Sequence, residues 1–267
     1  MKYIIETLKY LKSNLLLLPA LAVAILAFAA VFDYSALENI IATFSGGTIT
    51  NSFTAWLRVF VPFNASNWIT CIFSVAAYIV LVIDTAFIHS MVDKHVRFGS
   101  KSFRSVMSSF SINFIYSVIT LVIILVCYTL MAVLFTAIMK TTALGAPYLF
   151  VAGLAICLII TYLLTFVFSH FFLWLPCAEV TGFRMSEALY SSYAQARTVR
   201  WKIFAMLAIT LTVDIAITIP VAIFLGDIVA LIVSSCTFGC SFMFIVVASY
   251  IVYADVESIE REDLKKY

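Results

Sequence analysis

Charge is scarce in this chain. Asp, Glu, Lys and Arg make up 11% of 267 residues, against about a quarter in a soluble domain. Such a chain cannot cover itself with a water-compatible surface, so lipid must be the solvent for most of it. A mean hydropathy of +1.11 says the same. Glycine (8) and proline (5) are also few, which excludes collagen-like and low-complexity readings. The net charge of +2 gives no basis for nucleic-acid binding. The six cysteines lie inside or at the ends of apolar runs, which argues against a disulfide framework and for small packing residues. Cys236 and Cys240 share a helix face but lack the His or carboxylate company of a metal site. There is no phosphate-cradling glycine loop, HExxH, CxxC, nucleophile elbow or acidic cluster. We therefore expect no enzyme, no cofactor and no metal.

What is present is long apolar runs. Crossing a hydrocarbon core of about 30 Å takes roughly 20 residues at about 1.5 Å each. Six stretches qualify: 14–32, 68–89, 112–139, 148–175, 203–225 and 228–253. No long polar segment separates them. The expected fold is an all-α integral membrane domain, 1–267, with six transmembrane helices. The first run, after Lys2, Lys9 and Lys12, resembles a signal peptide, and Ala27-Phe28-Ala29 offers a cleavage pattern. Its length of about 19 residues exceeds a usual signal core, so we read it as a retained anchor.

Lys and Arg set the orientation. Segments 2–12, 94–104, 184–202 and 261–266 hold 14 of the 16, leaving Arg58 and Lys140 for the other side. The positive-inside rule then places both termini in the cytoplasm of a cell inner membrane. The longest external loop is 33–67, with Gly46-Gly47 as its turn and the sequon Asn64-Ala65-Ser66. The other two external connections are short and force adjacent antiparallel pairs.

The internal loops suggest a repeat. Met107-Ser108-Ser109-Phe110-Ser111 recurs 83 positions later as Tyr190-Ser191-Ser192-Tyr193-Ala194, and residues 2–12 are amphipathic. One reading is three tandem units, each an amphipathic cytoplasmic helix followed by a hairpin. The other is chance likeness of Ser-rich loops.

Asp214 lies mid-way along the fifth run, where an ionised carboxylate costs at least about 3 kcal/mol. Thr210 and Thr218 flank it at intervals of four. This set suits a cation, a proton or a cationic head group. The alternative is a protonated Asp bonded to a neighbouring helix. Asp84, near the inner end of the second run, is a weaker candidate. His89 and His170 read as interfacial donors. Gly153, Cys157, Thr161, Thr165 and Ser169 form a stripe on the fourth run. Such stripes let helices approach, or line a cavity with Asp214.

Leu175-Pro176 ending a helix, a short break, Met185-Ser186-Glu187-Ala188-Leu189-Tyr190-Ser191-Ser192, basic residues, Trp201 and a new apolar run form a distinctive series. It resembles a bacterial group of six-helix membrane proteins that includes the membrane domain fused to some glycerophosphodiester phosphodiesterases. The resemblance implies an inner-membrane protein connected with lipid or envelope handling. The phosphodiesterase domain is missing here, so no catalytic residue carries over. The leading expectation is a non-enzymatic protein that transports or binds a small or lipidic substrate, alone or as a subunit of a larger complex. Its partners would be membrane lipids and a protein docking on 94–111 and 184–202. The alternatives are the permease subunit of an ATP-driven exporter, or an assembly factor.

Overall fold

In the computed structural model the described residues are 2–31, 53–60, 63–64, 67–99, 103–143, 147–182, 184–224 and 227–264. Their long elements are all helical: α1 (Lys2–Ser13), α2 (Leu18–Val31), α3 (Phe53–Phe60), α4 (Trp68–Phe98), α5 (Phe103–Ala143), α6 (Pro147–Ser169), α7 (Trp174–Thr181), α8 (Met185–Phe224) and α9 (Asp227–Val256). Five segments are long and apolar enough to cross a membrane, and α1 with α2 makes a sixth, bent by 84°. The chain is an all-α, multi-pass integral membrane protein with about six spans.

The bend has a local cause. Tyr3, Thr7 and Tyr10 form the buried face of α1, while Leu8, Lys9 and Lys12 face outward. Burying that face keeps α1 flat against the bundle instead of in line with α2. At the corner the buried Asn14 amide donates to the Tyr10 carbonyl at 2.9 Å. A 3-10 turn, Leu15–Leu17, then starts α2.

Three boundaries differ from expectation. First, α4 runs nine residues past its expected end at His89, to a left-handed Gly99 with φ 63°. Second, the expected single span 148–175 is two helices, broken by turns at His170–Leu173. Leu175-Pro176 therefore opens α7 and does not end a helix. Proline has no N–H to lose in a first turn, so it fits there. Third, 103–111 and 185–202 are no separate interfacial helices but the first parts of α5 and α8, continuous with their apolar parts. Most of the expected loop 33–67, including its Gly46-Gly47 turn, lies outside the described residues. Its described part includes α3, whose Trp56 is buried against Phe135 and Phe150.

The spans form three hairpins: α1/α2 with α4, α5 with α6/α7, and α8 with α9. The second member of each ends alike at the end holding both termini. Gly99 and Gly182 (φ 63° and 67°) close α4 and α7 at the 83-residue offset of the Ser-rich segments. Ser258 (φ 52°) closes α9, with the Ile259 N–H on the Ala254 carbonyl at 2.9 Å. We call this the basic end. α9 is the central helix, packed on α1, α2, α4, α7 and α8. Its buried stretch, Val246–Ala248 and Tyr250–Ala254, places the core toward the basic end.

Gly239 marks the close approach of α9 to α2: a Cβ there would meet Ile25 Cγ1 at 2.6 Å and Ile25 N at 3.1 Å. We expect Gly239→Ala to destabilise the protein by about 1–3 kcal/mol in detergent unfolding. Gly182→Ala, with open space around it, should cost about 1 kcal/mol from left-handed strain. Unchanged stability of Gly239→Ala would contradict the α2–α9 contact.

Candidate functional site

Two polar places sit within the apolar bundle. The first is a joint of ionisable side chains at the basic end. His89, Asp93 and Arg97 recur at intervals of four on α4 and so share one face. They lie about 32–44 Å along α4 from its far end, taking about 1.5 Å per residue. That distance matches the thickness of a hydrocarbon layer, about 30 Å, or slightly exceeds it. Asp93 is 4% exposed. Arg97 donates to both of its oxygens, through Nε to Oδ1 and through Nη2 to Oδ2 at 2.8 Å. The Tyr250 hydroxyl of α9 donates to Oδ1 at 2.6 Å. The Tyr250 ring also stands edge-on to His89, centroids 5.7 Å apart. On the other side, His89 Nδ1 lies 3.0 Å from Glu179 Oε2 of α7, with side chains 2% and 1% exposed. That approach is too poorly aligned for a hydrogen bond, and both Glu179 oxygens lack a hydrogen-bond partner. We treat it as a charge contact between α4 and α7.

A second tier of polar contacts surrounds the joint. Lys2 Nζ and the Tyr3 hydroxyl reach Asp255 at 2.5 and 2.8 Å. The Tyr10 hydroxyl meets His95 Nδ1 at 3.0 Å. Arg261 bonds Glu6 at 3.1 Å and Asp263 at 2.8 Å. Burial alone would lower the Arg261 pKa; the hydrogen bond to Asp263, then the charges of Asp263 and Glu6, outweigh it and raise it.

The second place is a groove of about 450 Å³ bounded by α1, α2, α8 and α9. Ile4, Leu8, Leu17, Leu21, Ile209 and Phe244 make it apolar, while Asn14, Thr210 and Ser241 add polar groups. Asp214 stands behind Ser241, which donates to its Oδ1 at 2.5 Å.

The structure thus brings Asp214 and Thr210 to one place. Thr210 also bonds its own helix, at the Met206 carbonyl. Thr218 is 9% exposed, and its hydroxyl has no partner. Thr161 and Thr165 are not part of this place. Their hydroxyls bond the Cys157 and Thr161 carbonyls of α6 at 2.8 and 2.9 Å. Asp84, on α4, is 5% exposed with Oδ2 unbonded, and it does not line the groove. His170 Nδ1 donates to the Phe166 carbonyl at 3.0 Å, and its ring stacks on Tyr193. His89 is not interfacial but closed inside the joint. Asp93, Glu179 and Tyr250 were missed by the sequence reading. The one available signal was the spacing of His89, Asp93 and Arg97.

Comparison with family models, with curated proteins and with solved structures returned no match. The geometry therefore carries the functional argument.

Arg97→Met would leave the buried Asp93 carboxylate with Tyr250 as its remaining donor, at a cost of about 2–4 kcal/mol. Lys2 is 56% exposed at its pair with Asp255, so Lys2→Met should cost under about 1 kcal/mol. Equal effects in detergent unfolding would contradict the joint.

Proposed function

We propose that this chain is a non-enzymatic membrane protein that binds a lipidic ligand, one apolar chain of which lies in the groove under α1. It would sit in a bacterial inner membrane with the basic end, and so both termini, in the cytoplasm. The observation that carries this reading is the groove itself. Its roughly 450 Å³ falls in the range of about 300–1,000 Å³ usual for ligand sites. Its walls are apolar, yet Thr210 and Ser241 put hydroxyls among them, with a carboxylate one bond behind. The absence of catalytic motifs favours binding or transport over turnover.

Subunit status is a second reading with its own support. α8 is 40 residues long, or about 60 Å, twice what a bilayer needs. Its first part presents Tyr190 at 79% and Tyr193 at 48% exposure. That surface suits a protein partner, including an ATPase.

Native mass spectrometry from a mild detergent tests the first reading. Wild-type protein should retain a lipid, and Leu21→Trp, which fills the groove, should lower retention several-fold without loss of fold. Asp214→Asn should keep stability within about 1 kcal/mol, since Ser241 can donate to an amide oxygen, but change which lipid is retained. Equal retention in the wild type and Leu21→Trp would overturn the groove as the site. Unchanged lipid and stability in Asp214→Asn would remove the carboxylate from it.

A further inference from the structure

The roof of the groove is charged along its outer edge. Ile4, Leu8 and Leu11 of α1 line the groove. Lys12 follows Leu8 by one turn, and Lys9 stands three residues before Lys12, so the two lysines are neighbours beside the groove. Both are exposed. The other charged side chains of α1 are engaged, Lys2 with Asp255 and Glu6 with Arg261. Among the described residues no ion pair engages Lys9 or Lys12. A third cation stands on the α8 side. Lys202 is exposed and precedes the groove residue Ile209 by seven positions, two helical turns, so both lie on one face of α8. Its charge also acts on Asp255. Lys2, Lys202 and Asp255 together still carry one net positive charge.

Between the lysines of α1, Ile5 and Leu8 are 50% and 54% exposed. A helix that presents lysines beside exposed aliphatic side chains suits the boundary between lipid and water. There the lysine stems lie along apolar surface while the ammonium groups reach outward. An apolar chain that enters the groove beneath Leu8 leaves its headgroup level with α1, where the unpaired charge is positive. A zwitterionic headgroup brings a cation of its own to that place and gains little. A headgroup of net negative charge complements it. We infer that the lipid held in the groove is anionic, with its phosphate against Lys9 and Lys12 and with Lys202 at the α8 side of the same mouth. The inference rests on the groove being a lipid site. Asp214 does not oppose it, because it lies 12 residues beyond Lys202 on α8, about 18 Å further along the helix, at the depth of the chain and not of the headgroup.

The test is native mass spectrometry of the full chain in mild detergent with equal amounts of phosphatidylglycerol and phosphatidylcholine bearing identical acyl chains. The lipid counted is the one that Leu21→Trp loses. Wild type should retain the anionic lipid at least about fivefold over the zwitterionic one, since a lysine at a membrane surface is worth roughly that factor. Lys9→Gln/Lys12→Gln should lose most of the preference while holding phosphatidylcholine as before. Arg58→Gln/Lys140→Gln removes as much charge from exposed residues at the far end and should keep the preference. Equal retention of the two lipids by wild type, with Leu21→Trp losing both, would leave the groove standing and overturn the anionic headgroup alone. An equal loss of preference in the two double variants would reduce the effect to net charge and overturn the lysine site. If Leu21→Trp lost neither lipid, the groove and this inference would fall together.

Discussion

A carboxylate buried in a bundle of apolar helices has to bring its donors with it, and Asp93 draws them from two helices. Arg97 comes from its own helix one turn away, and Tyr250 from the central helix α9. Next to it, His89 and Glu179 bind α4 to α7. Asp255 and Arg261 hold α1 and the C-terminal segment to the same region. At the basic end α4 thus meets α9 through a hydrogen bond and α7 through a charge contact. Buried ion pairs are weak contributors to net stability, but breaking one partner is costly. They therefore fix which helix faces which, and the apolar contacts add most of the attraction.

Away from that end inter-helix hydrogen bonds are fewer, Ser241 to Asp214 and Tyr162 with Thr212 among them, and in lipid packing needs small residues rather than hydrophobic ones. Gly239 allows α9 to lie against the α2 backbone at Ile25. Where no such residue is supplied, the surfaces separate. The groove between α1, α2, α8 and α9 is one result, and a cleft of about 520 Å³ between α4 and α5, lined by Tyr78, Val82 and Phe114, is another. The first differs in having hydroxyls beside an internal carboxylate. Its roof exists because α1 is bonded flat to α9 through Lys2 and Tyr3 and turns by 84° into α2.

How much of this could be read beforehand depended on range. Six spans follow from run length, because lipid imposes about 20 residues per crossing whatever the neighbours do. Asp214 could be singled out because its cost is set by depth alone, and the structure adds its donor, Ser241. Thr161 and Thr165 looked the same in sequence, yet they bond carbonyls of their own helix. Spacing cannot separate a hydroxyl turned to its backbone from one turned to a cavity. An amphipathic 2–12 ahead of a span from 14 already implied a turn at Asn14, whereas the break before Pro176 was not legible, because it depends on what α7 packs against. Glu179 stayed hidden for a related reason. Only the path of α7 brings it back against His89. The Gly99 and Gly182 caps, 83 residues apart and both left-handed, give the repeat reading a physical basis that Ser-rich loops alone did not.

The most direct measurement of the joint is a double-mutant cycle between Tyr250→Phe and Asp93→Asn, read as unfolding free energy in one detergent. The two side chains are joined by a 2.6 Å hydrogen bond between α9 and α4. If that bond holds the hairpins in register, the single changes should be non-additive by about 1–3 kcal/mol. Additive effects, with a coupling near zero, would contradict it, and the convergence of the hairpins would then rest on apolar packing alone.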